Sequence, residues 1–430
     1  MSLVPAYIFI LGFTIIVDYF SGILIEKTQG KKRKLFLLAS LFANIGVLAI
    51  FKYYNFIFEN LSSIIATFQI TAPLPALKII LPIGLSFHTF QAMSYTIEVY
   101  RGNQKAEKHF GIYALYVLFY PQLVAGPIER PQNLIHQFYV PHKFDFEKFK
   151  QGFTMITFGL FKKIVIADRL SLAVDYSYAN INTQTGTSLA VAAFFYAFQI
   201  YCDFSGYSDI AIGSARVMGF KLMDNFRTPY FSKSISEFWG RWHISLSTWF
   251  RDYLYIPLGG NRVGIPRWFF NLLIVFLISG LWHGANWTFA AWGVIHGGLL
   301  ILEIIKNRTA IKIGIDIPNN FFFSFIKAVA TFSTVCVAWI FFRATSIADA
   351  LQIIYKIAHF SFYPKVDLYY YRNELIFCFL LIFFLCIKER YWIEIKVVEN
   401  WNFFFINIVI LFSCYLFGII NQKQFIYFQF

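Results

Sequence analysis

From Trp268 the chain reads Trp268-Phe-Phe-Asn-Leu-Leu-Ile-Val-Phe-Leu-Ile-Ser-Gly-Leu-Trp-His-Gly-Ala-Asn-Trp287 and continues to Leu302, 35 residues without one formally charged side chain. As a single helix this stretch would be about 52 Å long, against a hydrocarbon core of about 30 Å. It therefore has to break, and Gly280, Gly284 and the sequence His283-Gly-Ala-Asn286 offer the place. Both flanks are basic, Arg262 and Arg267 before it and Lys306, Arg308 and Lys312 after it. The positive-inside rule puts both flanks in the cytoplasm. An even number of short crossings follows, or a re-entrant hairpin with its turn near His283. Non-helical backbone at membrane depth is tolerated only when buried in protein or lining a cavity, which puts His283 on a cavity wall.

The rest of the chain has the same character. Over 430 residues, 58% are hydrophobic and 14% charged, where a soluble domain carries roughly 25% charge. Apolar runs at 3–25, 35–57, 79–99, 152–175, 187–212, 321–342, 374–387 and 402–420 approach or reach the ~20 residues of a spanning helix. The expected fold is all-α and polytopic. A β-barrel would alternate over about 10 residues per strand, and these runs do not. No repeat, linker or soluble boundary divides the chain, so residues 1–430 read as one membrane domain. The first run lacks a basic leader and a small-residue cleavage site, which makes it a retained span.

The five cysteines are scattered through apolar segments without metal-ligand spacing, so neither a zinc site nor a disulfide framework is expected. A net charge of +14 is explained by a membrane protein better than by nucleic-acid binding. Lys31-Lys-Arg-Lys34 between the first two runs belongs in the cytoplasm, which places the N-terminus outside. The same rule puts 100–150 and 231–267 inside and 176–186 outside. The basic 231–267 region fits a cytoplasmic acidic partner or acyl donor, or anionic lipid head groups; composition does not separate them.

Three regions are too polar or broken to be plain spans. Gly126 and two prolines interrupt 123–132, and the mixed sequence after it fits an interfacial helix. Asp203 and Asp209 adjoin an apolar helix, with Ser205, Tyr207 and Ser208 as available partners. The Trp-, Arg- and Tyr-rich 231–267 fits short interfacial helices.

A buried histidine beside a cavity suits general-base catalysis. Acyl transfer to a hydroxyl needs such a base and a donor for the oxyanion. Asn286 supplies that donor if the backbone after His283 is helical, and Trp282 and Trp287 would exclude water. Arg241 and Arg251 are candidates to guide an anionic donor, with Asp252 beside them. Equally, Arg241, Arg251 and Asp252 pair with one another, and His243 or His296 supports packing. Spacing does not rank His283 above His88 or His296. No serine-hydrolase elbow, P-loop or HExxH is present, which disfavours a covalent serine hydrolase or an ATP-driven pump.

Trp239-Gly-Arg-Trp-His-Ile-Ser-Leu-Ser-Thr-Trp-Phe-Arg-Asp-Tyr-Leu-Tyr-Ile-Pro-Leu-Gly-Gly-Asn-Arg262, followed by Gly280-Leu-Trp-His-Gly-Ala-Asn-Trp-Thr-Phe289, resembles the membrane-bound O-acyltransferase family, and within it the branch of bacterial alginate O-acetyltransferase membrane subunits. Leu81-Pro-Ile-Gly-Leu-Ser-Phe87, Gly126-Pro-Ile-Glu-Arg130, Tyr201-Cys-Asp-Phe-Ser-Gly-Tyr207, Trp339-Ile-Phe-Phe-Arg343 and Phe425-Ile-Tyr-Phe-Gln-Phe430 extend the likeness, with a motif core at about 80–345. The resemblance implies a ring of helices, with short or re-entrant ones around a central funnel, in a multi-pass protein of the bacterial inner membrane. It implies that His283 is the catalytic histidine and His243 a second histidine lining the tunnel. It implies no bound cofactor; acetyl-CoA or another activated acyl donor is the cytoplasmic co-substrate. A periplasmic acetyltransferase partner would place the group on an exported, alginate-like polysaccharide. Two alternatives stand beside it: D-alanyl transfer to teichoic acid from a carrier protein, and a non-enzymatic transporter of acyl groups or lipid-linked sugars.

Overall fold

In the computed structural model, which describes residues 7–68, 84–314, 320–359, 366–369, 372–391, 400–419 and 425, every regular element is a helix. Among the described residues, seven helices are long and apolar enough to cross a membrane: Tyr7–Lys27, Gly30–Thr67, Gly186–Val217, Ile265–His283, Trp287–Ile313, Phe321–Arg343 and Asn400–Phe417. This is a multi-pass α-helical membrane protein. The described residues form two compact units, residues 1–144 with 219–223, and 145–218 with 224–430. Of the expected runs, positions 3–6, 79–83 and 420 lie outside the described residues, as do residues 81–83 and 426–430 of the motifs.

The first unit contains α1 (Tyr7–Lys27), α2 (Gly30–Leu48), α3 (Tyr54–Thr67), α4 (Leu85–Arg101), α5 (Phe110–Val117) and the single turn α6 (Pro131–Leu134). A five-residue π-helical turn joins α2 to α3 without interrupting the helix. A carboxylate inside this apolar bundle needs internal donors. Asp18 of α1 has them: it accepts from Ser40 Oγ at 2.6 Å and Asn44 Nδ2 at 2.9 Å, both on α2. The Gly126–Arg130 motif is likewise structural. Buried Glu129 accepts from the Met223 amide and from Asn133 Nδ2, while Tyr116 donates to its carbonyl. The interfacial helix expected after residue 132 is instead α6, a 3-10 stretch and an irregular segment. Pro141, which cannot donate a helical hydrogen bond, lies in that irregular segment.

The second unit holds α7 (Phe146–Phe161), α8 (Asp168–Ala179), α9 (Gly186–Val217), α10 (Ile235–Arg241), α11 (Ile244–Phe250), α12 (Ile265–His283), α13 (Trp287–Ile313), α14 (Phe321–Arg343), α15 (Ile347–Ala358), α16 (Arg372–Tyr391) and α17 (Asn400–Phe417). A π-helical turn, Lys162–Ala167, joins α7 to α8. α7 meets α9 through two glycine pairs. A Cβ on Gly152 would lie 2.6 Å from the Gly213 carbonyl, and one on Gly159 would lie 2.5 Å from that of Gly206. Small residues are what let helix backbones approach this closely in a membrane. Beside these pairs, Lys163 reaches Asp203 at 2.6 Å and Lys162 reaches Asp209 at 2.7 Å. Lysines thus supply partners for both carboxylates, where the sequence offered Ser205, Tyr207 and Ser208. Ser205 accepts from Lys162 and Ser208 from Asn225, because the π-helical turn brings two lysines against α9. Elsewhere in the unit, Arg169 pairs with Glu374 of α16, and Asn407 of α17 bonds Thr154 and Thr157.

The uncharged stretch is a hairpin. α12 stops at His283, Gly284 and Asn286 are extended, and Asn286 restarts the helix by accepting the Thr288 amide at 3.0 Å, as an N-cap does. At 19 and 27 residues, each arm is long enough for a crossing. Its two arms touch backbone to backbone: a Cβ on Gly280 would lie 2.1 Å from the Phe289 carbonyl, and one on Gly293 2.2 Å from that of Phe276. Gly298 of the same α13 has nothing within 4 Å. Gly280→Ala and Gly293→Ala should each destabilise by about 3 kcal/mol, at the upper end of ordinary overpacking. Gly298→Ala should be neutral or stabilising by up to about 1 kcal/mol. Thermal unfolding in detergent, compared across the three variants, checks the ordering.

Candidate active site

His283 is the last residue of α12 and is buried, 5% exposed. Three aromatic rings surround its imidazole: Trp282 at 5.0 Å between centroids, Trp292 of α13 at 5.2 Å and Phe342 of α14 at 5.2 Å. The hairpin turn delivers the first two, and the Trp339–Arg343 motif delivers the third. Trp339 also stacks on Trp292 at 5.7 Å, and Arg343 pairs with Asp175 at 2.6 Å. The result is an aromatic, apolar surround for the imidazole.

His243 lies between α10 and α11 and is fully buried. Its backbone is left-handed, φ 43°, a conformation uncommon outside glycine. Neighbouring backbone bonds fix it: the Ile244 amide donates to the Asn225 carbonyl and the Arg227 amide to the Arg241 carbonyl, both at 2.9 Å. The His243 Nδ1 is 3.0 Å from Asn225 Oδ1, and its ring meets Phe204 edge-on at 4.6 Å. Burial pushes this imidazole well below its ordinary range, so it is neutral at physiological pH. Trp282 lies between the two histidines, 6.3 Å from His243 and 5.0 Å from His283.

His296 joins the same aromatic cluster. It accepts from Trp239 Nε1 at 3.3 Å and packs on Trp292 at 4.9 Å, a role in packing. His88 belongs to the first unit and bonds the Val117 carbonyl at 3.1 Å.

The remaining candidates separate. Asn286 does not follow His283 helically, so the condition for its reaching an oxyanion is not met. Its Oδ1 caps α13 and its Nδ2 donates to the Thr345 carbonyl at 3.1 Å. Trp287 is 54% exposed and does not shield the imidazole, because the extended backbone at 284–286 turns it outward. Arg241 pairs with Glu237 at 2.6 Å rather than with Asp252, and Arg251 pairs with Asp252 at 2.9 Å. Of these ions only Arg251 borders a cleft of about 470 Å³, whose walls include Trp239, Ile244, Val275, Phe276 and Ser279. Ile244 follows His243, and Ser279 precedes His283 by one helical turn. Asn225, Ser245, Trp292 and Phe342 were not legible as site residues. Trp292 lay in the uncharged stretch 268–302, yet nothing in its spacing set it apart; Asn225 is 18 residues from the histidine it holds, with no periodicity to connect them.

A helical membrane scaffold that buries two histidines around a shared tryptophan is what the site defines. Residues 108–348 match the model of the MBOAT, membrane-bound O-acyltransferase, family, more than half the chain, and the chain belongs to that family. It is 42% identical to the probable alginate O-acetylase AlgI of Pseudomonas putida over 324 residues, 75% of this chain and 64% of that protein. It is 35% identical to the peptidoglycan O-acetyltransferase of Helicobacter pylori over 375 residues, 81% of this chain and 69% of that one. The teichoic acid D-alanyltransferase of Streptococcus thermophilus is 31% identical over 282 residues, 60% of this chain and 68% of that one. The chain spans less than two thirds of the length of the alginate O-acetylases it matches.

The left-handed backbone at His243 yields a direct test. A non-glycine residue costs roughly 1–2 kcal/mol there, so His243→Gly should be about 1 kcal/mol more stable than His243→Ala. Thermal unfolding of the two purified variants measures the difference.

Proposed function

We propose that the chain is a membrane O-acetyltransferase subunit in which His283 is the general base. The observation that carries this reading is the placement of His283 at a hairpin turn, enclosed by Trp282, Trp292 and Phe342, in a family of O-acyltransferases. The donor is an activated acyl thioester, acetyl-CoA or a relative of it, approaching from the cytoplasm. His283 takes the proton from an acceptor hydroxyl as its oxygen attacks the thioester carbonyl carbon. The tetrahedral intermediate then collapses, the C–S bond breaks, and the imidazolium returns the proton to the leaving thiolate. Apolar rings around His283 limit competing hydrolysis. His243, which shares the Trp282 contact with His283, orients the acyl group or the acceptor. Arg251, at the border of the cleft, is the basic side chain best placed to meet an anionic donor; Asp252 holds it.

Lys31–Lys34 at the start of α2 supports a cytoplasmic α1–α2 connection and an extracytoplasmic N-terminus in the inner membrane. The ultimate acceptor in this reading is an exported polysaccharide, reached through a periplasmic partner. Higher identity to the acetylases than to the D-alanyltransferase favours acetyl over D-alanyl transfer.

In membranes carrying the full acetylation machinery, His283→Ala should lower transfer of labelled acetyl groups to polymer by about 10²- to 10⁴-fold, the range a positioned base contributes. The level of inserted protein should match the wild type. Wild-type transfer by a well-inserted His283→Ala variant would overturn the reading.

A further inference from the structure

We propose that Asn225 is a positioning residue that holds His243 in one tautomer, with the proton on Nδ1 and the lone pair on Nε2. This deepens the acyltransferase reading and rests on it for the substrate.

The assignment follows from which atoms can donate. Asn225 Oδ1 receives three contacts: the Ser245 backbone amide at 3.3 Å, Ser245 Oγ at 2.8 Å and His243 Nδ1 at 3.0 Å. A backbone N–H can only donate, so the atom it meets is the amide oxygen, not the amide nitrogen. The other end of the side chain agrees, since Asn225 Nδ2 donates to Ser208 Oγ at 3.1 Å. An amide oxygen carries no proton. The imidazole nitrogen beside it therefore supplies one, and a neutral imidazole has only one to supply. Nε2 is the bare nitrogen.

The residue that does this is itself anchored. Asn225 is 1% exposed, and its own carbonyl accepts the Ile244 amide at 2.9 Å. One residue thus fixes both the backbone after His243 and the proton on its ring. Ser245 Oγ also lies 3.5 Å from His243 Nδ1, but its proton goes to Asn225 Oδ1 at 2.8 Å. Rings facing the imidazole from neighbouring elements include Phe204 of α9, Phe226 beside Asn225, and Trp282 of α12. None is titratable. A ring held this way presents a hydrogen-bond acceptor to a hydroxyl, which is what an acceptor-binding histidine needs; an Nε2–H ring would present a donor instead.

The test uses the full chain in detergent with ¹⁵N-labelled histidine, the His243 signal being identified by its loss in His243→Gln. The wild type should show a protonated Nδ1 and a bare Nε2, and Asn225→Ala should shift the population toward Nε2–H. In acetyl transfer, Asn225→Ala should lower kcat by about 100-fold, the low end of acid–base contributions, with KM changed little. Asn225→Asp keeps an acceptor oxygen and should retain the Nδ1–H tautomer and most of the rate. Its carboxylate also stabilises the imidazolium, so the acidic limb of its pH–rate profile should move to higher pH. An Nε2–H ring in the wild type overturns the proposal, as does an Asn225→Ala variant with kcat within about twofold of wild type. If the wild type transfers no acyl group, the functional reading fails alone, and the tautomer signal decides the role of Asn225.

Discussion

Backbone groups at membrane depth have no water to bond, and this constraint organises the site. Thirty-five uncharged residues cannot remain one helix, yet each peptide group freed by a break needs a partner inside the protein. Asn286 meets part of that demand. Gly284 departs from the helix, Asn286 caps the next one, and its amide reaches across to the Thr345 carbonyl. Phe342, Trp282 and Trp292 then close over the turn. His283 occupies the last helical position before the break, where a side chain is buried among rings but stands next to non-helical backbone. The chemistry proposed for it depends on that position.

Glycine contacts make the arrangement possible. Gly280 and Gly293 bring α12 and α13 into backbone contact, and Gly152, Gly159, Gly206 and Gly213 do the same for α7 and α9. The second pairing sets α9 against Lys162 and Lys163, so that Asp203 and Asp209 are matched by charge rather than by hydroxyls. Breaking such a pair by removing one partner strands a buried charge. Phe204, next to Asp203 on α9, contacts His243, which links the stability of this ionic seam to one wall of the site.

Much of the fold was legible because length and polarity are local properties. The break near His283, the short helices in 231–267 and most spans follow from run length, flanking charge and proline. The site was legible only in part. His283 and His243 could be named from the motif that carries them, but Asn286 and Trp287 could not be placed. Their roles depend on whether the backbone at 284–286 is helical, and a cap and a turn use the same Asn that an oxyanion site would use. The lysine partners of Asp203 and Asp209 were missed because a π-helical turn changes which residues face a neighbouring helix.

What the sequence determined by itself is the solvent the protein lives in and the place where its longest uncharged segment must turn, since both depend on summed hydrophobicity and on charge at the flanks. Tertiary structure alone decided which polar groups meet. Asn225 and His243 are 18 residues apart with no periodic relation, and three donors converge on one amide oxygen only after the segment carrying Asn225 has packed against His243 and the start of α11. Hydrogen bonds are directional over a few tenths of an ångström. Hydropathy carries no such information, so the partner that fixes a proton on His243 appears only in three dimensions.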